Sequence, residues 1–523
     1  MGTKNYDSAT DMITFTRASS GTALRKVTYG PELVTNGDFA TDTSWTKGTG
    51  WTIGSGVATH AAGTGSDLYQ AGAVIAGKMY TLTLDVTTVR ASSTLYVMAG
   101  STNTYQIIEA SVTVGQKVAI FIGPANGRAL IRLGGPADVD IDNITVKETT
   151  FDQADGALEL FNSPADIPRI EYNADGTVKG LLVENAGTNL IPDMHGLTIS
   201  SSRISKVSTT APDGSNNAEE YSIASGTGNP YLYKVVAISS GTTYTHSIFV
   251  KLPTGTPNVN LRYVTITTLT TFPANEVIFD LQEGVVVGTP DMPDYLITSY
   301  GNGWYRLSAT NTADATSSNS FGFILWPLSD SSGTRLSIEN HDVGDKVFEI
   351  YGPQTEAGPF ASSYIPTTGS TATRAVDVAT IPTSAFGYNS NAGSVVVEAV
   401  TPPVVDTYQN YLVSSNNASA RWIYSNANNR MYMYDGTNQA NAYTVYVNST
   451  QKYASSSNQT TMSIVIGGGT LATSAANGNI PSLTTAFYIG GYYISLYNWG
   501  GHIKSLKYYP RKLSNAQLQE LTT

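Results

Sequence analysis

The sequence predicts an all-β protein: three serial antiparallel sandwiches of jelly-roll type, followed by a short C-terminal helix. Three observations carry that prediction. Apolar residues recur with period two, as in YTLTLDV, where Tyr80, Leu82, Leu84 and Val86 alternate with Thr81, Thr83 and Asp85. Successive strand side chains point to opposite faces, so this alternation marks a half-buried strand. Turn pairs such as Asn36 with Gly37, Asp175 with Gly176, Asn302 with Gly303 and Asp435 with Gly436 punctuate the runs, and such pairs tolerate the positive φ of tight turns. Finally, only 13% of residues are charged while Gly, Ser, Thr, Asn and Tyr abound, which favours strands, turns and surfaces of hydroxyls and amides. A chain of 523 residues exceeds one ordinary core, so several units are expected.

Charge and composition exclude some functions. A net charge of −11 gives counterion-release binding of nucleic acid little to work with. The absence of cysteine removes disulfides, thiolate metal sites and a Cys nucleophile. The start MGTKNYDSATD has no basic segment leading into an apolar one, and no apolar run is long enough to span a bilayer, so neither a Sec-type leader nor membrane insertion is expected. Tyr6 stands where N-myristoylation would want Ser or Thr.

Taken in chain order, MITFTRASSGTALR and KVTYGPELVTNGDF read as two opening strands, the first with no partner nearby. In VAIFIG, Val118, Ile120 and Ile122 share a face; in YTHSIFVKL, Tyr244, His246, Ile248, Val250 and Leu252 do. GKMYTLTLDV at 77–86 aligns without gaps on GTTYTHSIFV at 241–250, and each copy sits in the early middle of a similar run of strands, closed by DIDNITVKE and by KVFEIYGPQTEAG. Two related sandwiches are expected, with a third unit beyond SSYIPTTGSTATRAVDVATIPTSA. In KLSNAQLQELTT, Ser514 and Gln517 form a capping-box pattern ahead of Leu518 and Leu521, which predicts a helix too short to stand without docking on a sheet.

The segment Phe15, Thr16, Arg17, Ala18, Ser19, then Pro168 and Arg169 with Leu181, Leu182, Glu184, Thr188, Asn189 and Leu190, and finally Glu356, Ala357, Gly358, Ser363, Tyr364, Ile365, Pro366, Thr367, Thr373, Arg374 and Asp377 resemble motifs of tailed-bacteriophage virion structural proteins. In that family the first two groups are neighbours, so the first sandwich looks like an insertion between them. The resemblance implies an N-terminal anchoring or strand segment (1–30), an inserted jelly roll similar to carbohydrate-binding modules (31–150), and a connector rejoining the N-terminal segment (151–184). It further implies a phage-type sandwich (185–370), a linker (371–389) and a sandwich similar to concanavalin A and laminin G lectin domains (390–523). The N-terminal segment is expected to anchor the chain or to pair with the middle unit.

Candidate chemistry is sparse. Asp138, Asp140 and Asp142 would share one strand face, yet Ile144 and Val146 fall on the same parity, so a bulge near Asn143 is expected. The jelly-roll resemblance implies a structural calcium near Asp38 and Asp142. His60, His195, His246, His341 and His502 show no metal-ligand spacing, and His246 reads as a hydrogen-bonded core residue. A glycosidase needs two carboxylates across the scissile bond; Glu398 stands alone, Asp280 and Glu283 fall on a strand and turn, and neither a G-x-S-x-G elbow nor a P-loop occurs. No catalytic residue is assigned. Tyrosines crowd the last unit, and rings that stack on the apolar faces of sugars are the stronger signal. Trp422, Tyr492, Tyr493, Tyr497 and Trp499 are the glycan-binding candidates, with the loop YYISLYNWGG expected to be exposed.

These readings lead to a non-enzymatic virion protein, assembled in the bacterial cytoplasm and displayed on the particle surface: a fibre- or appendage-type adhesin for host surface glycans. The alternative is a head-decoration or fibre protein that stabilises the particle, and a polysaccharide depolymerase is a further rival. Partners would be capsid or tail proteins and host glycans. Homo-oligomerisation is expected, and in the absence of heptads a trimer would form through sandwich faces or strand exchange.

Overall fold

The computed structural model describes residues 13–523, apart from Ala62, Thr64, Ser101, 194–196, 225–229, 257–259, 265–275, Asp291, Pro293, 314–315, 329–345, 402–409, 427–429, 444–448 and 493–497. His195, His341, Tyr493 and Tyr497 therefore lie outside the described residues. Antiparallel strands wrap three separate cores, as the period-two pattern requires. No helix among the described residues is long and apolar enough to cross a membrane.

The first sandwich packs the sheet containing Met79–Ala91, Gly115–Ile122, Asp138–Phe151, Gly21–Glu32 and Ala157–Ser163 against a five-stranded sheet of Thr46–Lys47, Ser66–Gln70, Ala129–Leu133, Leu95–Ala99 and Thr104–Glu109. Tyr80, Leu82, Leu84 and Val86 point into its core, as read from the alternation. VAIFIG faces the other way from the expectation: Ala119 and Phe121 are buried in that core, while Val118 is 38% exposed on the outer face. The two parities of that short run are both apolar, so hydropathy alone does not choose between them. The bulge near Asn143 is present. The ladder to Met79–Ala91 breaks between Asp142 and Thr145, Asn143 has φ of 51°, and burial passes from Val139 and Ile141 to Ile144 and Val146.

The middle sandwich repeats this plan. Met79–Ala91 lies between Gly115–Ile122 and Asp138–Phe151; Thr243–Lys251 lies between Trp304–Thr312 and Lys346–Ala357. The echo between the two central strands extends to geometry. Tyr80 Oη accepts a hydrogen bond from the Ile75 amide at 2.8 Å, and Tyr244 Oη accepts one from the Ser239 amide at 3.0 Å. Gly77 and Gly241 turn the chain into these strands at φ of 82° and 77°, the left-handed region that a Cβ disfavours. His246 is buried, with Nδ1 2.8 Å from Thr355 Oγ1, as expected of a core histidine.

The third sandwich corrects the expected pairing of the N-terminal segment. Thr14–Thr16 pairs with Val378–Pro382, Phe15 opposite Ala379, and Val178–Val183 pairs with Gly501–Tyr509, Leu182 opposite His502. Phe15, Leu181 and Val183 enter one core with Trp422, Phe487 and Trp499. The third sandwich is thus built from Thr14–Thr16, Ile170–Tyr172 and Val178–Val183 together with the C-terminal residues, both other sandwiches are inserted within it, and the first sandwich reaches beyond the expected 31–150 to take in Gly21–Glu32 and Ala157–Ser163. The physical reason is burial: the apolar side chains of the early strands are used in the C-terminal core, not the middle one. The C-terminal helix Asn515–Thr522 carries the capping box of Ser514 and Gln517, and it packs Leu518 against Ala454 and Val465.

Six of the motif residues, Arg17, Arg169, Glu184, Ser363, Arg374 and Asp377, converge in one buried cluster. Arg17, Arg169 and Arg374 are each at most 1% exposed. Arg17 contacts Asp377 at 3.3 Å, Arg169 contacts both Asp377 and Glu184 (2.8 Å to the latter), and Arg374 lies 3.6 Å from Glu184. Ser363, from the middle unit, donates to Glu184 through its amide and its hydroxyl, both at 2.7 Å. Three cations face two carboxylates, and backbone oxygens supply the difference: Arg17 donates to Pro164 O at 2.7 Å and Ser19 O at 2.8 Å, and Arg374 to Asn185 O at 2.8 Å. Burial disfavours the Glu184 carboxylate, but Arg374 and Arg169 outweigh it and hold its pKa down to about 2. Such a charge cluster is tolerable inside a protein only when most of its hydrogen-bonding groups are met, and here the Nε atoms of Arg169 and Arg374 are left without a partner among the described residues.

Candidate functional site

The five-stranded sheet of the first sandwich turns its alternate residues outward, and the register sets them side by side. Leu68, Leu95, Val97, Ile131 and Leu133 face the core. On the opposite parity Arg132 stands across from Asp67 on one neighbour and from Tyr96 on the other, and Tyr105 follows on the next strand. Arg132 is paired with Asp67 at 2.9 Å, donates to Tyr105 Oη at 3.2 Å and to Gly65 O at 3.1 Å, and its guanidinium lies 4.9 Å from the Tyr105 ring. Tyr105 donates to Asp67 at 3.1 Å and meets Tyr96 edge-on at 6.0 Å. Arg128 caps the Tyr69 ring at 4.2 Å. Tyr105 is 40% exposed.

This face offers ring surfaces beside a fixed carboxylate and guanidinium. Rings supply apolar area with little conformational entropy to lose, while Asp67 and Arg132 accept and donate in known directions. The cation–ring contacts and the ion pair hold the layout in place before anything binds. It can take a flat ligand with an apolar face and hydroxyl edges.

Of the sequence-predicted glycan residues, Trp422, Tyr492 and Trp499 fall among the described residues, and all three belong to the third sandwich. Trp422 and Trp499 are fully enclosed, which overturns their expected exposure. Trp422 Nε1 donates to Thr484 Oγ1 at 3.1 Å and Trp499 Nε1 to Val400 O at 2.9 Å, so each indole is satisfied inside the core and presents no ring to solvent. Tyr492 is 6% exposed, stacked 4.4 Å from Tyr411 in a row continued by Tyr424 and Tyr432, with the Arg421 guanidinium 5.2–5.6 Å from Tyr411, Tyr424, Tyr434 and Tyr492. These rings pack mainly on one another.

At the other proposed site, the amide of Ile144 donates to Gly37 O at 2.9 Å, which brings the turn bearing exposed Asp38 against the residues after Asp142. Asp142 accepts from the Asn143 amide at 2.7 Å. Asp138 and Asp140 are taken by Arg90, at 2.8 Å and through a bidentate contact at 2.7 and 2.8 Å. No group of three His, Asp or Glu side chains suited to a metal occurs among the described residues.

No family model matches the chain, and no curated protein matches it. Among solved structures it is similar to the N-terminal CBM22-1-CBM22-2 tandem domain of Xyn10C from Paenibacillus barcinonensis, at 14% identity and a TM-score of 0.21, over 63% of this chain and 98% of that one. It is also similar to domains LG4-5 of the mouse laminin alpha1 chain, at 9% identity and a TM-score of 0.18, over 55% of this chain and 88% of that one. At those values the likeness does not identify a function. The class of protein is set by the architecture itself: an all-β chain of three sandwiches, two inserted in the third.

Proposed function

We propose that the chain is a non-enzymatic virion protein of a tailed phage, a fibre- or appendage-type adhesin that contacts host surface glycans through the aromatic face of the first sandwich. The observation that carries the glycan reading is the strip of Tyr69, Tyr96 and Tyr105 with Arg132 fixed by Asp67. The virion setting rests on the motif resemblance. Each contact would be shallow, and many copies on one particle would raise the avidity. A host-polysaccharide array probed with the full chain tests this. Binding that falls at least tenfold, about 1.4 kcal/mol, in Tyr105→Ala and Tyr69→Ala supports the adhesin. Full-strength binding in both variants removes the face from the proposal, and no binding to any host polysaccharide favours particle stabilisation instead.

A calcium at Asp38 and Asp142 would complete its shell from backbone carbonyls and water. Titrating the full chain with calcium while following the melting midpoint reads such a site as a rise.

A further inference from the structure

The first sandwich has a second outer face, and the middle unit partly roofs it. Between them lies a cleft of about 620 Å³, the size of a small-ligand site and placed, as such sites often are, between structural units. The units touch at its edge, where the Leu160 amide donates to Pro212 O at 2.9 Å.

Three features of the lining point to one kind of ligand. Its floor carries hydroxyls in rows: Thr81 and Thr83 from one strand, and Thr145, whose Oγ1 lies 2.6 Å from Thr83 Oγ1. Beside them Val118, 38% exposed, and Ile120 supply an apolar strip. Its walls hold an excess of acceptors. Glu159 receives only Tyr29 Oη, at 2.6 Å, among the hydrogen bonds found for its carboxylate in the described residues, and Asp213 receives Tyr351 Oη at 2.7 Å together with its neighbour Ser215. Asn162 Oδ1, at the same cleft, is buried with no donor in reach among the described residues.

We infer that this cleft is a binding site for a neutral polyhydroxylated ligand, a pyranose unit of an uncharged oligosaccharide, with its hydroxyls on Glu159, Asp213 and the threonine row and its C–H face on Val118. Phosphorylated or carboxylated sugars meet two carboxylates there, Glu159 and Asp213, against the single cation Lys147, and are disfavoured. Burial, assisted by the charge of Asp213, pushes the Glu159 carboxyl up to about 7 against the pull of Tyr29, so near neutrality this group can donate as well as accept. The cleft takes in none of Tyr69, Tyr96 and Tyr105, although Gln106, Ile107 and Ile108 of the strand that carries Tyr105 close one side of it, and it does not rest on those rings.

The test is calorimetry and saturation-transfer NMR of the full chain with neutral gluco-, galacto- and manno-oligosaccharides and their sialylated or phosphorylated counterparts. Two cleft variants are used, Val118→Glu at an exposed position and Asn162→Leu, with Tyr105→Ala as the variant of the other face. The expected result is saturable binding of a neutral sugar that weakens at least tenfold in Val118→Glu and Asn162→Leu, with melting midpoints confirming folded protein, and that persists in Tyr105→Ala. Neutral-sugar binding untouched by both cleft variants, binding abolished by Tyr105→Ala alone, a preference for the anionic counterparts, or no sugar bound at all would each overturn it. Loss in Tyr105→Ala alone overturns the cleft and leaves the adhesin reading standing, whereas loss in the cleft variants alone supports the cleft and leaves the aromatic face to be decided by the host-polysaccharide array.

Discussion

Arg17 and Asp377 stand 360 positions apart in the chain and meet at 3.3 Å with neither side chain exposed. That contact ties the start of the third sandwich to its resumption after both insertions. Arg169 and Glu184, from the segment between the insertions, complete the knot. The three units are therefore joined by a shared buried interior in addition to the chain between them.

Removing Asp377 leaves Arg17, Arg169 and Arg374 facing Glu184 alone. Breaking a buried ion cluster from one side costs about 3–5 kcal/mol, because the remaining charges stay desolvated. Asp377→Ala is expected to lower the urea midpoint of the transition that unfolds the third sandwich by a corresponding amount. An unchanged midpoint would show that the cluster carries no stability.

The C-terminal sandwich should not fold as residues 390–523. That fragment lacks Phe15, Leu181, Val183, Ala379 and Ile381 from its core, and it strips Val378–Pro382 from the edge of Ala486–Ile489 and Val178–Val183 from the edge of Gly501–Tyr509. Unpaired strand edges and exposed apolar side chains promote association. Broad amide resonances and aggregation are expected of the fragment, and sharp dispersion would contradict the nested architecture.

Much of this was legible in the sequence, and its limits have physical causes. FTRAS, the Pro168 and Arg169 pair, Glu184, and Arg374 with Asp377 were visible as separate motifs, and they prove to be parts of one cluster. The partner of Phe15 was not visible, because alternation specifies which face of a strand is buried but not which distant strand it joins. The aromatic face was hidden for the same reason. Tyr69, Tyr96 and Tyr105 lie on three strands, each unremarkable alone, and only the register makes them a surface. Trp422 and Trp499 misled because an indole reads equally well as a sugar platform or as a core filler whose N–H finds a partner.

The burial of those two tryptophans has a measurable consequence. Trp422→Ala or Trp499→Ala is expected to cost about 3–5 kcal/mol through the cavity left behind. Tyr105→Ala, on an open face, is expected to cost less than about 1 kcal/mol. Chemical denaturation of the three variants separates packing from binding. Equal stability in all three would return the tryptophans to the surface.

Acid should weaken the fold through its histidines before it titrates the Arg cluster. Burial lowers His246 from the ordinary 6.5 to about 3, and burial with the charge of Lys179 lowers His502 in spite of Glu171. Above pH 6.5 a histidine is neutral in both the folded and unfolded chain and has no effect. Below that, the unfolded chain takes up a proton that folded His246 refuses until about pH 3, so stability falls with pH by up to about 1.4 kcal/mol per unit for each such residue. Glu159 acts in the opposite sense. Its carboxyl, raised to about 7, holds a proton in the folded state that the unfolded state releases above about 4.5, so acidification over that window favours folding. Glu184, held down to about 2, adds its loss only below about pH 4.5. Denaturation between pH 7 and 5 should therefore show a shallower decline in His246→Gln than in the parent, and a steeper one in Glu159→Gln. Identical slopes in all three proteins would mean that neither group changes its proton affinity on folding.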